Sequence, residues 1–173
     1  MKYLDRVANI AVIVAVAIFL ILVIRGEFPR RISPSTNRAA ALVGKTISLP
    51  GVRFSTKNDT LLLGISESCH FCKESIPWYK QLTGQVQGKV DVIAVLPQTQ
   101  VEAENFIRSE GLSGTKVVSA NLGSIGVLAT PTLLLVDSTG RVKDAWIGRQ
   151  DEVGQQKVLA ATLASDKLTI PRS

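Results

Sequence analysis

The chain has 173 residues and 18.6 kDa, with 46% hydrophobic, 20% charged and 5% aromatic positions. That size holds one ordinary domain plus an appendage, and the apolar fraction excludes a disordered or fibrous chain. The net charge is +6, but Lys2, Arg6, Arg25, Arg30, Arg31 and Arg38 flank one apolar run, which points to anionic lipid and away from nucleic acid.

Val7 to Ile24 is apolar except for Asn9. A helix of about 20 residues spans a hydrocarbon core of ~30 Å, so residues 1–24 are expected to form a membrane anchor, with 7–24 in the bilayer. The run ends Leu22-Val23-Ile24-Arg25, without the small-residue pattern of a cleaved signal peptide. Four arginines after the run would, by the positive-inside bias alone, hold the carboxyl side in the cytoplasm. A long following domain translocates largely regardless of charge, however, and a short basic leader is the usual start of an exported chain. The expectation is a single-pass protein of a bacterial inner membrane with an extracytoplasmic carboxyl domain. Residues 25–43, with Pro29, Pro34 and several Ser, Thr and Arg, are expected to be a flexible basic tether reaching roughly 25 Å.

Residues 44–173 read as strands alternating with helices, an α/β pattern with a helix-covered mixed sheet. Thr46 to Phe54 is extended and interrupted by Pro50-Gly51, a hairpin-like start. Thr60 to Ile65 and Val90 to Leu96 are short apolar runs, as expected of strands buried on both faces. Between them a helical pattern runs from Cys69 to about Val86, with Cys72, Ile76, Tyr79 and Val86 on one stripe. Thr99 and Glu102 form a capping-box signature for a helix stopped at Gly111. Thr115 to Ser119 is a third strand, and Leu122 to Leu128 a short helix. Thr132 to Val136 and Val142 to Trp146 flank Asp137-Ser138-Thr139-Gly140, a hairpin turn. A last helix runs from about Asp151 to Ala164.

The only two cysteines form Cys69-His70-Phe71-Cys72, at the point where a buried strand hands over to a helix. Residues i and i+3 share a helix face, so the two sulfurs can close a disulfide without moving the backbone. Cys69 falls in the first turn, where unpaired N–H groups and the helix dipole favour a thiolate. Cys72, one turn in and on the apolar stripe, is expected to be shielded. Cys69 is thereby the expected nucleophile and Cys72 the resolving thiol. His70 places a cation between them and Phe71 an apolar surface, so both are expected to modulate the site.

With these features the chain resembles the thioredoxin-like superfamily, and the membrane-tethered TlpA-type thiol–disulfide oxidoreductases in particular. The resemblance spans roughly Gly44 to Ala164. It rests on the strand–CxxC–helix, on Pro77 within that helix, on Thr130-Pro131 before a strand, and on the closing hairpin with Gly148. It implies a thioredoxin-like fold and an oxidoreductase that needs no cofactor beyond the redox-active Cys69–Cys72 pair. It further implies a cis-proline loop at Thr130-Pro131 that receives the substrate backbone. Its partners would be client proteins with thiols or disulfides, and a membrane or soluble redox protein that recycles the dithiol. The chain departs from the family in having Ser68 before the first cysteine, His70-Phe71 between the two, and Leu61, Leu62 and Leu63 where thioredoxins proper bury an acid.

A purely structural disulfide over so short a loop gains little entropy. A Cu(I) metallochaperone holding the ion through Cys69 and Cys72 is the alternative function, since soft thiolates suit that ion. A thiol peroxidase, suggested by Ser66 three residues before Cys69, ranks below it. His70 is the only histidine, so no zinc site is expected.

Overall fold

The structure, a computed structural model, describes residues 10, 12–21, 34–112 and 114–165. The chain divides into two compact units, Met1–Ile32 and Ser33–Ser173. In the first, residues 12–21 are helical with exposed side chains. Among the described residues no helix is long and apolar enough to cross a membrane, and the flanks of the expected anchor lie outside them. Residues 25–33 of the expected tether also lie outside the described residues.

The second unit has a five-stranded sheet built from β1 (Thr60–Gly64), β2 (Asp91–Leu96), β3 (Lys116–Ser119), β4 (Thr132–Val136) and β5 (Val142–Ile147). Its helices are α1 (Pro34–Ala40), α2 (His70–Val86), α3 (Gln100–Ser109) and α4 (Glu152–Ser165), with a 3-10 turn at Leu122–Ile125. The strand order is β3-β2-β1-β4-β5. β1 pairs with β2, and β2 with β3, in parallel, whereas β4 runs antiparallel to both β1 and β5. This is the mixed sheet of a thioredoxin-like fold.

Successive strand residues point to opposite faces, and the fully apolar runs of β1 and β4 feed two cores. Leu61, Leu63, Ala94, Leu96 and Leu133 face α2, α3 and α4. Leu62, Ile93, Val95, Val118, Leu134 and Val136 pack on the other side with Ile47, Leu49, Leu122 and Ile125.

Two expectations need correction. Residues 34–43 are not tether: α1 packs against β5, and Ala39 and Leu42 are buried in the second core. Proline is tolerated in a first helical turn, and the run Ala39-Ala40-Ala41-Leu42 supplies helix formers with an apolar side. The Pro, Ser and Arg content masked that side. Residues 46–54 turn at Pro50-Gly51, where the Val52 N–H donates to the Leu49 carbonyl at 3.1 Å, but they form no strand pair of their own. Thr46 bridges Arg141, and the Ile47 N–H donates to the Gly140 carbonyl at 2.9 Å, so the segment pairs with the β4–β5 turn.

Candidate active site

The antiparallel register of β1 and β4 sets Gly64 opposite Thr132. The loop leaving β1 and the loop entering β4 therefore share one end of the sheet. They also approach closely: a Cβ at Gly64 would stand 3.2 Å from a Val127 methyl and 3.3 Å from the Thr132 carbonyl oxygen. Beyond Gly64, the Ile65 N–H bonds the Val95 carbonyl at 3.1 Å, and the Cys69 N–H bonds that of Ser66 at 3.1 Å. The buried Ser66 hydroxyl accepts from Gln98 Nε2 at 3.1 Å and lies 3.2 Å from Ser68 Oγ. The turn ahead of the first cysteine is thus pinned to the end of β2.

Cys69 is the N-cap of α2, with extended backbone at φ −84° and ψ 112°. Its Sγ accepts the Cys72 N–H at 3.1 Å, the bond that a Ser or Asp cap oxygen would normally accept. A charge on this sulfur therefore sits among the unpaired N–H groups of the helix start. Cys69 and Cys72 are joined in a disulfide with Cα atoms 5.2 Å apart. Cys69 is half-buried, while Cys72 is completely buried beside Ile76, Tyr79 and Leu63. Among the described residues the buried polar side chains are Thr60, Ser66, Ser75, Thr132 and Thr162, so no carboxylate lies in the core. Burial pushes the Tyr79 phenol up, against a hydrogen bond with Ser75, so it stays a neutral hydroxyl.

Charges ring the rim. His70 Nε2 is 3.1 Å from Glu74 Oε1, one turn along α2, and Arg149 Nη1 is 3.1 Å from Glu74 Oε2. Arg149 follows Gly148, whose N–H donates to the Pro131 carbonyl at 2.7 Å. The Thr130–Pro131 bond is cis, and the Thr132 hydroxyl donates to the Ala129 carbonyl at 2.7 Å. Pro131 is buried and Thr130 half-buried. Two large apolar side chains are left exposed at this end, Phe71 at 55% and Leu128 at 88%.

Cys69, His70, Phe71 and Cys72 thus stand together at the start of α2, and Thr130–Pro131 leads into the strand that pairs with β1. Pro77 lies inside α2. Sequence reasoning missed Arg149, Gln98 and Leu128. No local pattern signals the pairing of Glu74 with Arg149, because one lies in α2 and the other follows β5. Among the described residues no three side chains of His, Cys, Asp or Glu converge, so an ion held at the cysteines would have two thiolates and little else. A cavity of about 540 Å³ lies at the opposite end of the sheet, lined by Arg53, Lys80 and Asp91, remote from the disulfide.

No protein-family model and no curated protein matches the sequence. Solved structures do. A protein described as the thiol:disulfide interchange protein DsbE from Chlorobium tepidum is 26% identical with a TM-score of 0.51, over 62% of this chain and 82% of its own. StoA from Bacillus subtilis is 18% identical at TM-score 0.51, over 61% and 83%. A thiol-disulfide isomerase from Corynebacterium glutamicum is 16% identical at TM-score 0.53, over 71% and 96%. The chain therefore has a thioredoxin-like fold with a CxxC disulfide. Its structural neighbours are thiol:disulfide interchange proteins, which supports a redox role of that general kind.

Proposed function

We propose that this protein is a membrane-anchored thiol–disulfide oxidoreductase that exchanges disulfides with protein cysteines outside the cytoplasm. Its anchor is residues 7–24, and with α1 folded the tether shortens to 25–33, a reach of roughly 16 Å. The observation that carries the reading is the asymmetry of the pair: one sulfur capping a helix and half-exposed, the other buried one turn below.

The reaction follows from that asymmetry. A client thiolate attacks Cys69 Sγ, the Cys69–Cys72 bond breaks, and the departing Cys72 thiolate takes up a proton. A second client thiolate then attacks the client sulfur of the mixed disulfide and expels Cys69 as a thiolate. The client loses two electrons and the pair gains them. Run backwards, Cys69 attacks a client disulfide and Cys72 resolves the intermediate. Only Cys69 is reachable, so only Cys69 joins the client. The loop at Thr130–Pro131, which enters β4 at the end of the sheet where β1 leaves for the disulfide, receives the client backbone. A second redox protein resets the pair after each turnover.

Two variants test this. Cys69→Ser should abolish exchange with a disulfide-bonded model protein, because the reachable sulfur is gone. Cys72→Ser should accumulate a mixed disulfide at Cys69, visible by mass spectrometry and reversed by dithiothreitol. If both variants exchange at the unmodified rate, the pair is not the reaction centre.

A further inference from the structure

We propose that the cavity at the end of the sheet away from the disulfide is a binding site for an organic phosphate ester, free or carried on a phospholipid headgroup.

Thr60, Asp91 and Lys116 are the first residues of β1, β2 and β3. These strands run parallel, so their starts share one end of the sheet, and the disulfide lies beyond the last residue of β1 at the other. The cavity at the starting end has about 540 Å³. That is more than a bare ion fills, and it falls within the ~300–1,000 Å³ of sites that hold small organic ligands.

Its wall is charged in one sense. Arg53 from the segment ahead of β1, Lys80 from α2 and Lys116 line it, against Asp91 as its one carboxylate. Among the described residues the ion pairs join His70 to Glu74, Lys143 to Asp59 and Arg149 to Glu74, so none of these three cations has a partner there. A Cβ at Gly111, just past the end of α3, would stand 3.4 Å from Lys80 Nζ. The amine therefore lies across bare backbone on the cavity wall.

A missing side chain makes the room. Gly84 lines the cavity from within α2, where glycine is a poorer helix former than alanine. Among the described residues, and apart from the helix's own backbone, no atom lies within 4 Å of where its Cβ would stand. Packing therefore does not call for glycine at this position. Its effect is to leave the wall open beside Lys80, one turn earlier on the same helix face.

These features select the ligand. A phosphate monoester carries roughly −1.5 to −2 charges at pH 7. The Arg53 guanidinium offers paired donors that match two phosphate oxygens, and each ammonium adds a point charge. Val90 and Val92 beside them give the organic part an apolar wall. A metal cation would meet one carboxylate against three like charges.

The test uses the full-length chain in uncharged detergent, with glycerol 3-phosphate as the probe and glycerol as the neutral control, followed by isothermal titration calorimetry. Glycerol 3-phosphate should bind one to one and more weakly as salt is added, and glycerol should not bind. Arg53→Gln and Lys80→Gln should each weaken binding about tenfold, the loss of one charge-assisted contact. Gly84→Leu keeps every charge and favours the helix, and should abolish binding by filling the room. Lys45→Gln, a cation off the cavity, should leave binding unchanged. Phosphatidylglycerol added to the micelles displaces the ester if a lipid headgroup is the natural source. An ester that binds as described and is not displaced marks a free phosphate ester instead. The proposal is overturned if glycerol 3-phosphate does not bind. It is equally overturned if binding survives Gly84→Leu, which would put the anion on the basic amino-terminal residues. None of these readouts involves Cys69 or Cys72, so they stand or fall apart from the exchange reading.

Discussion

The sulfur of Cys69 is held by one hydrogen bond, from the Cys72 N–H, and the next residue along is a histidine whose ring is 78% exposed. When that imidazole carries a proton, it stabilises a thiolate on Cys69 and hence the reduced pair, which raises the reduction potential. Glu74 lies on the far side of the ring, and its second oxygen faces Arg149, so its charge is shared. His70→Ala should therefore make the couple more reducing, by roughly 10–30 mV for an exposed charge. Equilibration of both proteins against glutathione redox buffers measures the gap, and equal potentials would mean that the imidazole does not stabilise the thiolate.

At the scale of elements, glycine decides two joints. Gly140 closes the β4–β5 turn at φ 80°, and an added Cβ would lie 2.5 Å from the Ile47 carbonyl oxygen, which is backbone and cannot rotate away. Gly140→Ala should cost about 3 kcal/mol, the sum of left-handed strain and overpacking, measured by urea unfolding of the reduced and oxidised protein alike. Gly64→Ala is milder, at about 1–2 kcal/mol, but it presses on Val127 and Thr132 and so should also slow exchange by displacing the loop that carries Pro131.

The same turn answers to pH. Burial tends to raise the Asp137 carboxyl, but bonds from the Thr139 hydroxyl and from the N–H groups of Arg141 and Thr139, with attraction from Lys143, hold it below the usual range. A carboxyl lowered in the folded state adds stability above its unfolded pKa and loses it as pH falls through the folded one. Asp137→Ala should thus destabilise the protein at pH 7, and the difference should close in acid unfolding curves below about pH 4.

These joints also show what the linear order of residues reveals. The apolar runs of β1 and β4 are legible because burial on both faces leaves no polar position to interrupt them. The Thr99–Glu102 box is legible because its bonds are local, and both are present. The CxxC at a strand-to-helix junction is legible for the same reason. α1 was not, because its apolar side is a single short run inside a basic, proline-bearing stretch. The pairing of Thr46 with Arg141, the Glu74–Arg149 contact and the Gln98–Ser66 bond join residues far apart in sequence. No periodicity encodes such contacts; they exist only once the sheet order is set.

At the scale of the whole molecule, the charge is uneven. Six of the twenty basic residues fall in the first 38 positions, around an apolar run that the exchange chemistry does not need. If that run anchors the chain, the full-length protein should sediment with membranes and resist alkaline carbonate, whereas a chain beginning at Ser33 should be released and keep its exchange rate with a soluble peptide. Val14→Arg with Ile18→Arg should release the full chain too, since each arginine near a bilayer centre costs about 3 kcal/mol on insertion scales. Sidedness follows from the Cys72→Ser form, in which Cys69 is the only thiol. After a brief reduction that frees Cys69 from any mixed disulfide, a membrane-impermeant maleimide applied to intact cells should label it if the domain lies outside the cytoplasm, as proposed. Labelling only after lysis would put the domain in the cytoplasm. A disulfide exchanger there would face a reducing pool, and its clients would have to be transiently oxidised proteins instead of folding secreted ones.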